Sequence, residues 1–170
     1  MASKIKVDQI QTADGTGTIA LQNQLSGMTS ASMPTGAVLQ VVYGMSQTQV
    51  STTSNSNVST GITATITPSS TSSKIWIISK FTGRGSTSTD TLSAIYRGTV
   101  SGTNLTGNAS TKYNNQSSEP SDLVNTHLDS PNTTSATTYT IAVKSSVNGQ
   151  TSIANDASTE GTITLMEIAG

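Results

Sequence analysis

The sequence predicts an all-β protein, a sandwich or a barrel, and three observations carry that expectation. The chain holds 28 Ser and 31 Thr among 170 residues, with hydrophobic residues at 32% and charged residues at 10%. Disordered chains of low hydrophobicity are highly charged or proline-rich. Here there are four prolines and a net charge of -1. β-branched Thr suits the wet face of a strand. Apolar and polar residues also alternate at period two, most plainly in GITATIT at 61–67. Gly, Ser, Asn and Pro clusters separate such runs, as between the strands of a sandwich.

Taken in order, residues 1–36 form an N-terminal arm and linker. Ile5, Val7 and Ile10 precede a DGTG turn at 14–17, and Ile19 and Leu21 follow it. These apolar residues are too few for a core of their own, and an isolated hairpin is marginal in water. GMTSASMPTG at 27–36 reads as a linker closed by Pro34 and Gly36. Residues 37–170 form the β-domain. Its strands are expected at 37–44, 61–67, 74–81, 90–98, 122–128, 137–145 and 161–168. KIWIISKF at 74–81 is the densest apolar run and holds the single Trp and the single Phe. Residues 99–121, rich in Asn, Gly and Ser, are expected to form a long exposed loop with a short strand near 111–113. The best helical candidate, 20–33, is interrupted by Gly27 and by Ser and Thr. No fixed-period repeat occurs. The core is thin for the chain length, which calls for an oligomeric partner.

Composition also bounds function. Eight scattered basic residues do not make the cationic patch that nucleic-acid binding needs. Without cysteine there are no disulfides and no thiolate chemistry. No apolar run approaches the ~20 residues that span a bilayer, so membrane insertion is not expected. Lys4, Lys6 and Asp8 interrupt any signal-peptide core, which predicts synthesis in a cytoplasm and export by another route.

Candidate chemistry is sparse. His127, the only histidine, stands two residues before Asp129 on an expected strand, so both face one side. A catalytic site needs a nucleophile in a defined context, and no GxSxG elbow is present. Nothing in the spacing of the carboxylates singles out a facing pair. Asp122, Asn125 and Asp129 could offer oxygens to Ca²⁺, but without an EF-hand register; turn formation is the simpler use of such residues. No catalytic residue, metal or cofactor is therefore expected. TGRGSTST at 82–89 lacks the Lys-Ser/Thr of a phosphate loop, and Gly83 and Gly85 are read as a turn. Five Asn-x-Ser/Thr sequons, at Asn57, Asn104, Asn108, Asn115 and Asn132, are what this composition produces by chance. Among the aromatics, Tyr43, Trp76, Tyr96 and Tyr139 lie in expected strands and are assigned to core or subunit contacts. Tyr113, with Asn114 and Asn115, sits in the polar loop and is the candidate ligand contact.

GAVLQVVYG, GITATITPSSTSSKIWIISKF, LDSPNTTSATTYTIAVKSS and GTITLMEI together resemble a β-domain of tailed-bacteriophage virion proteins, common in phages of cyanobacteria and other aquatic bacteria. SKIKVDQIQTADGTGTI at 3–19 is similar to the N-terminal segment of tail-fibre-like members. The resemblance implies a jelly-roll-like β-sandwich of the tumour-necrosis-factor type, assembled as a homotrimer. Its strand motifs map to 37–43, 62–67, 74–81, 137–145 and 162–168. Members serve as capsid decoration (cement) proteins or as fibre tips, and neither role brings catalytic residues.

Two functions follow. The first is a cement protein on the head exterior, bound to the major capsid protein and to copies of itself. The absence of a long shaft favours it. The second is a short tail fibre, bound to tail proteins and to a host surface glycan. In either, Ile5, Val7, Ile10, Ile19 and Leu21 are expected to add as strands to a neighbour's edge, making the arm the attachment device.

Overall fold

The computed structural model describes residues 33–86, 89–107 and 120–170. Ile5, Val7, Ile10, Ile19 and Leu21 of the expected arm lie outside the described residues, as do Tyr113, Asn114 and Asn115 and the expected strand at 111–113.

Ten strands follow in chain order: β1 (Val38–Ser46), β2 (Val50–Thr52), β3 (Val58–Ile66), β4 (Lys74–Gly85), β5 (Thr91–Arg97), β6 (Thr103–Asn104), β7 (Ser121–Asp129), β8 (Thr137–Ser145), β9 (Ser152–Ala154) and β10 (Gly161–Ile168). They form two antiparallel sheets. One runs β1-β10-β4-β9-β2 with β7 on the other side of β4; the other runs β3-β8-β5-β6. The chain changes sheet between β2 and β3, β3 and β4, β4 and β5, β6 and β7, β7 and β8, and β8 and β9. That alternation is the winding of a jelly roll, and the all-β expectation holds.

Period-two patterning explains the core. Ile62, Ala64 and Ile66 of β3 point inward while Thr63 and Thr65 face water. Ile163 and Leu165 of β10, Ile75, Ile77 and Phe81 of β4, Ile95 of β5, Leu123 of β7, Tyr139, Ile141 and Val143 of β8, and Ala154 of β9 complete one cluster between the sheets. A second, smaller cluster lies on the outer face of the other sheet, where Tyr96 covers Ala94 and Ala142. The Tyr96 hydroxyl accepts hydrogen bonds there from Asn57 and Asn104.

Glycines set two close approaches. A Cβ at Gly44 would stand 2.0 Å from the Thr63 carbonyl oxygen, so the sheets can close at that corner only without a side chain. Gly83 and Gly85 do not form a turn: both belong to β4, which extends past the apolar run to residue 85. A Cβ at Gly83 would stand 2.3 Å from Leu123 Cδ1, so that glycine admits a core leucine. In β3 the register slips between Ser59 and Thr63, at Gly61 with φ +78°, as a glycine bulge does.

Between β9 and β10, Asn155, Ala157 and Ser158 have φ of 54°, 54° and 57°. Each left-handed non-glycine residue costs roughly 1–2 kcal/mol. The turn is held by Asn155 Nδ2 donating to Thr48 O at 2.9 Å. Gln49 Nε2 and Arg84 Nη2 both donate to Asp156 Oδ1, each at 3.0 Å.

Candidate assembly surface

The strands of the larger sheet expose an apolar outer face. Cross-strand register places Val41, Met166, Trp76 and Leu128 in one row across β1, β10, β4 and β7. The next row is Tyr43, Thr164, Ile78 and Thr126, and the one after it Met45, Thr162, Lys80 and Val124. At the opposite end Val38 pairs Ile168, beside Lys74. Of the eight large hydrophobic side chains exposed among the described residues, seven stand on this face: Val38, Val41, Tyr43, Met45, Trp76, Val124 and Leu128. Val41 is 59% exposed and Trp76 47%. Soluble monomers rarely leave a contiguous apolar patch of this kind open to water.

Polar contacts lie at its margins. The Tyr43 hydroxyl donates to Glu160 Oε1 at 2.6 Å. That bond, with a small contribution from burial and from the Glu160 charge, raises the phenol's pKa above its ordinary value. Lys80 Nζ stands 2.9 Å from Asp122 Oδ2, and Thr82 Oγ1 donates to Asp122 Oδ1 at 3.0 Å. The Lys80 contact holds the Asp122 carboxyl below the usual range; desolvation opposes it and the Thr82 hydrogen bond adds to it.

The four strand aromatics divide. Tyr139 and Tyr96 are buried. Tyr43 and Trp76 are about half exposed in the single chain, so they are not core residues. The signal for an open face was present in VLQVVYGM, where apolar residues occupy both parities of one strand; such a strand is apolar on both faces. Val41, Met45, Val124, Leu128 and Met166 were not singled out from sequence, because outward orientation depends on register with β10 and β4.

The chemical candidates separate. His127 and Asp129 do share the inner side of β7, but both Asp129 oxygens are engaged elsewhere, by Arg97 and by the Tyr139 hydroxyl. Asn125 exchanges hydrogen bonds with Ser93. Asp122 faces the opposite side with Lys80. The three oxygen donors weighed for Ca²⁺ thus do not converge, and among the described residues no group of three His, Cys, Asp or Glu side chains is placed to hold a metal.

No protein-family model matches the chain, and no curated protein does. Among solved structures, the VP2 subviral particle of infectious bursal disease virus matches with a TM-score of 0.51 at 12% identity, over 79% of this chain and 34% of that one. A structure of the Gx strain of infectious bursal disease virus matches with a TM-score of 0.48 at 13% identity, over 78% of this chain and 33% of that one. This chain therefore spans about a third of the length of the viral chains it matches. At such identity the likeness establishes the fold: a β-sandwich of the jelly-roll kind found in a viral particle.

Proposed function

We propose that this protein is a non-enzymatic structural component of a virus particle, a bacteriophage virion. It assembles as a homotrimer on the particle exterior and acts as a capsid decoration protein that stabilises the head. The observation that carries this reading is the apolar outer face of the larger sheet. A second copy is its best occupant. The face is uncharged except at its edges, and closed symmetric assembly buries an apolar patch and the β7 edge together. The jelly-roll likeness to a viral particle protein supports the setting, and the phage-protein resemblance of the sequence supports the host class. In this reading the N-terminal arm binds the major capsid protein, and Tyr43 and Trp76 are subunit contacts. Assembly also suits persistence outside the cell without disulfides.

The resemblance of residues 3–19 to tail-fibre-like proteins favours a second reading, a short tail fibre that docks on tail proteins and meets host glycan through Tyr113, Asn114 and Asn115.

Two measurements test the proposal. Light scattering should give three times the 17.4 kDa chain mass for the full chain. Trp76→Glu with Leu128→Glu should give a folded monomer, since both side chains are already half exposed in one subunit. A monomeric wild type would overturn the assembly reading. Quantitative mass spectrometry of virions should find a copy number in step with the major shell protein; a count in the range of tail proteins would favour the fibre. Glycan binding by the isolated protein would point the same way.

A further inference from the structure

Glu167 is a buried carboxylate that pairs with no cation among the described residues. It lies on the inner face of β10 and is 0% exposed. Oε1 accepts from the Ser69 backbone N–H at 2.7 Å and from the Ser69 hydroxyl at 2.6 Å. Oε2 accepts from Gln40 Nε2 at 2.6 Å, and the same Gln40 amide donates to Thr67 O at 2.8 Å. A buried anion is costly unless it is paired or fully hydrogen-bonded.

Among the described residues its charged neighbours give no ion pair. Gln40 flanks Glu167 on β1 and Ile75 on β4. Beyond Ile75 in the same row stands Asp129, held by Arg97. Lys74 pairs Ile168, whose side faces out. The turn at 67–73 carries no charged residue, nor do Ile66 and Thr137 at the facing ends of β3 and β8.

Each contact to this carboxylate comes from a donor. A proton on Oε2 would face the Gln40 amide donor, and that hydrogen bond would be lost; on Oε1 the Ser69 hydroxyl would have to turn from donor to acceptor. Three segments meet here. Gly36 N donates to Ala169 O at 2.7 Å, Ala169 N donates to Ala37 O at 2.8 Å, and the Ser72 hydroxyl donates to Gly170 O at 3.1 Å. A cavity of about 220 Å³, lined in part by Met33, Leu39, Ser69 and Ala169, lies beside them. The structure thus has little packing with which to hold this corner if the polar contacts fail.

We propose that Glu167 is an acid-sensitive latch: ionised, it holds the 67–73 turn against the start of β1; protonated, it releases that turn and the chain entering β1 at 33–37. The direction of its titration agrees. Burial pushes the Glu167 carboxyl up, but the hydrogen bonds from Ser69 and Gln40 outweigh it and leave the pKa lowered. A lowered folded pKa stabilises above the unfolded value, and that stabilisation is lost as pH falls through the folded one. Each unit of depression changes the closed-to-open ratio about tenfold.

Hydrogen exchange of the full-length assembly, followed by mass spectrometry, tests the latch. Peptides covering 33–40 and 67–74 should keep their protection relative to β8 from neutral pH down to the ordinary glutamate range, about pH 4.3, and lose it as pH falls below that range. Glu167→Gln should show raised exchange in those peptides already at neutral pH and little further change in acid. If that variant does not fold, Gln40→Met removes one donor and should move the wild-type transition to higher pH. Loss of protection in step with β8 would overturn the proposal. So would a wild-type acid response retained in Glu167→Gln, which would assign it to another group.

Discussion

Arg97 and Asp129 are joined across the sandwich by two hydrogen bonds, Nε to Oδ2 at 2.8 Å and Nη2 to Oδ1 at 2.7 Å. Arg97 ends β5 in one sheet and Asp129 ends β7 in the other. The Tyr139 hydroxyl, from β8, donates to the same Oδ2 at 2.7 Å. Burial, then Asp129, holds that phenol protonated far above its ordinary range. Three strands of two sheets are thereby fixed at one point, with planar guanidinium geometry that lysine does not reproduce.

Removing only one member should be costly. Arg97→Ala leaves Asp129, 4% exposed, without its cation; a fully buried pair would cost about 3–5 kcal/mol to break, and with Arg97 33% exposed the loss should fall toward or below the lower end of that range. Replacing the group together, as Arg97→Met, Asp129→Leu and Tyr139→Phe, should recover most of that loss. Urea unfolding of the single and combined variants measures both, and equal losses in the two would contradict the argument.

Gly44 makes a second, steric claim on the fold. Its would-be Cβ meets backbone rather than a movable side chain: Thr63 O at 2.0 Å and Thr63 C at 3.0 Å. Gly44→Ala must push β1 from β3, and overpacking of this kind typically costs about 1–3 kcal/mol. Gly149→Ala is a useful contrast. It has no atom within 4 Å and a φ of +86°, so its cost is backbone strain alone. A Gly44→Ala midpoint equal to wild type in urea would show that the sheets can part there freely.

What was legible in the sequence follows from these contacts. Strands β8 and β10 match their expected spans, 137–145 and 161–168, although apolar–polar alternation in β10 holds only to Leu165, after which the inward residue is Glu167. β4 runs longer than its apolar run because Gly83, which resembles a turn residue locally, makes room for Leu123, 40 residues further along the chain. Strands β2, β6 and β9 span two or three residues, too few to display a period. Arg97 with Asp129 and Ser69 with Glu167 are 32 and 98 residues apart, so no local pattern announces them. The outer face was half legible: its apolar residues are plain, but their direction is set by register.

Tyr43 reports on the edge of that face through its bond to Glu160. A raised folded pKa stabilises below the unfolded value and is lost as pH rises through the folded one. Here the hydrogen bond from the neutral phenol to Glu160 is what ionisation breaks. Glu160→Gln should return Tyr43 toward the ordinary tyrosine range, so its ring resonances titrate at lower pH than in wild type. An unchanged NMR titration would mean that the bond does not form in solution.

Trp76 provides an intrinsic probe of assembly. It is the single tryptophan of the chain, and it sits in the row between Met166 and Leu128. In one subunit it is 47% exposed, so an isolated chain should emit at the longer wavelengths of a hydrated indole. Packing of a second copy over the row removes that water and should shift emission to the blue. Dilution through the dissociation constant should therefore move the spectrum red without loss of the far-UV β signal, because Trp76 takes no part in the core cluster. Val147→Thr, at an exposed apolar residue off the face, should leave the dilution midpoint unchanged, whereas Val41→Thr should raise it. A spectrum that stays red at every concentration while the protein remains trimeric would place the subunit contact on another surface.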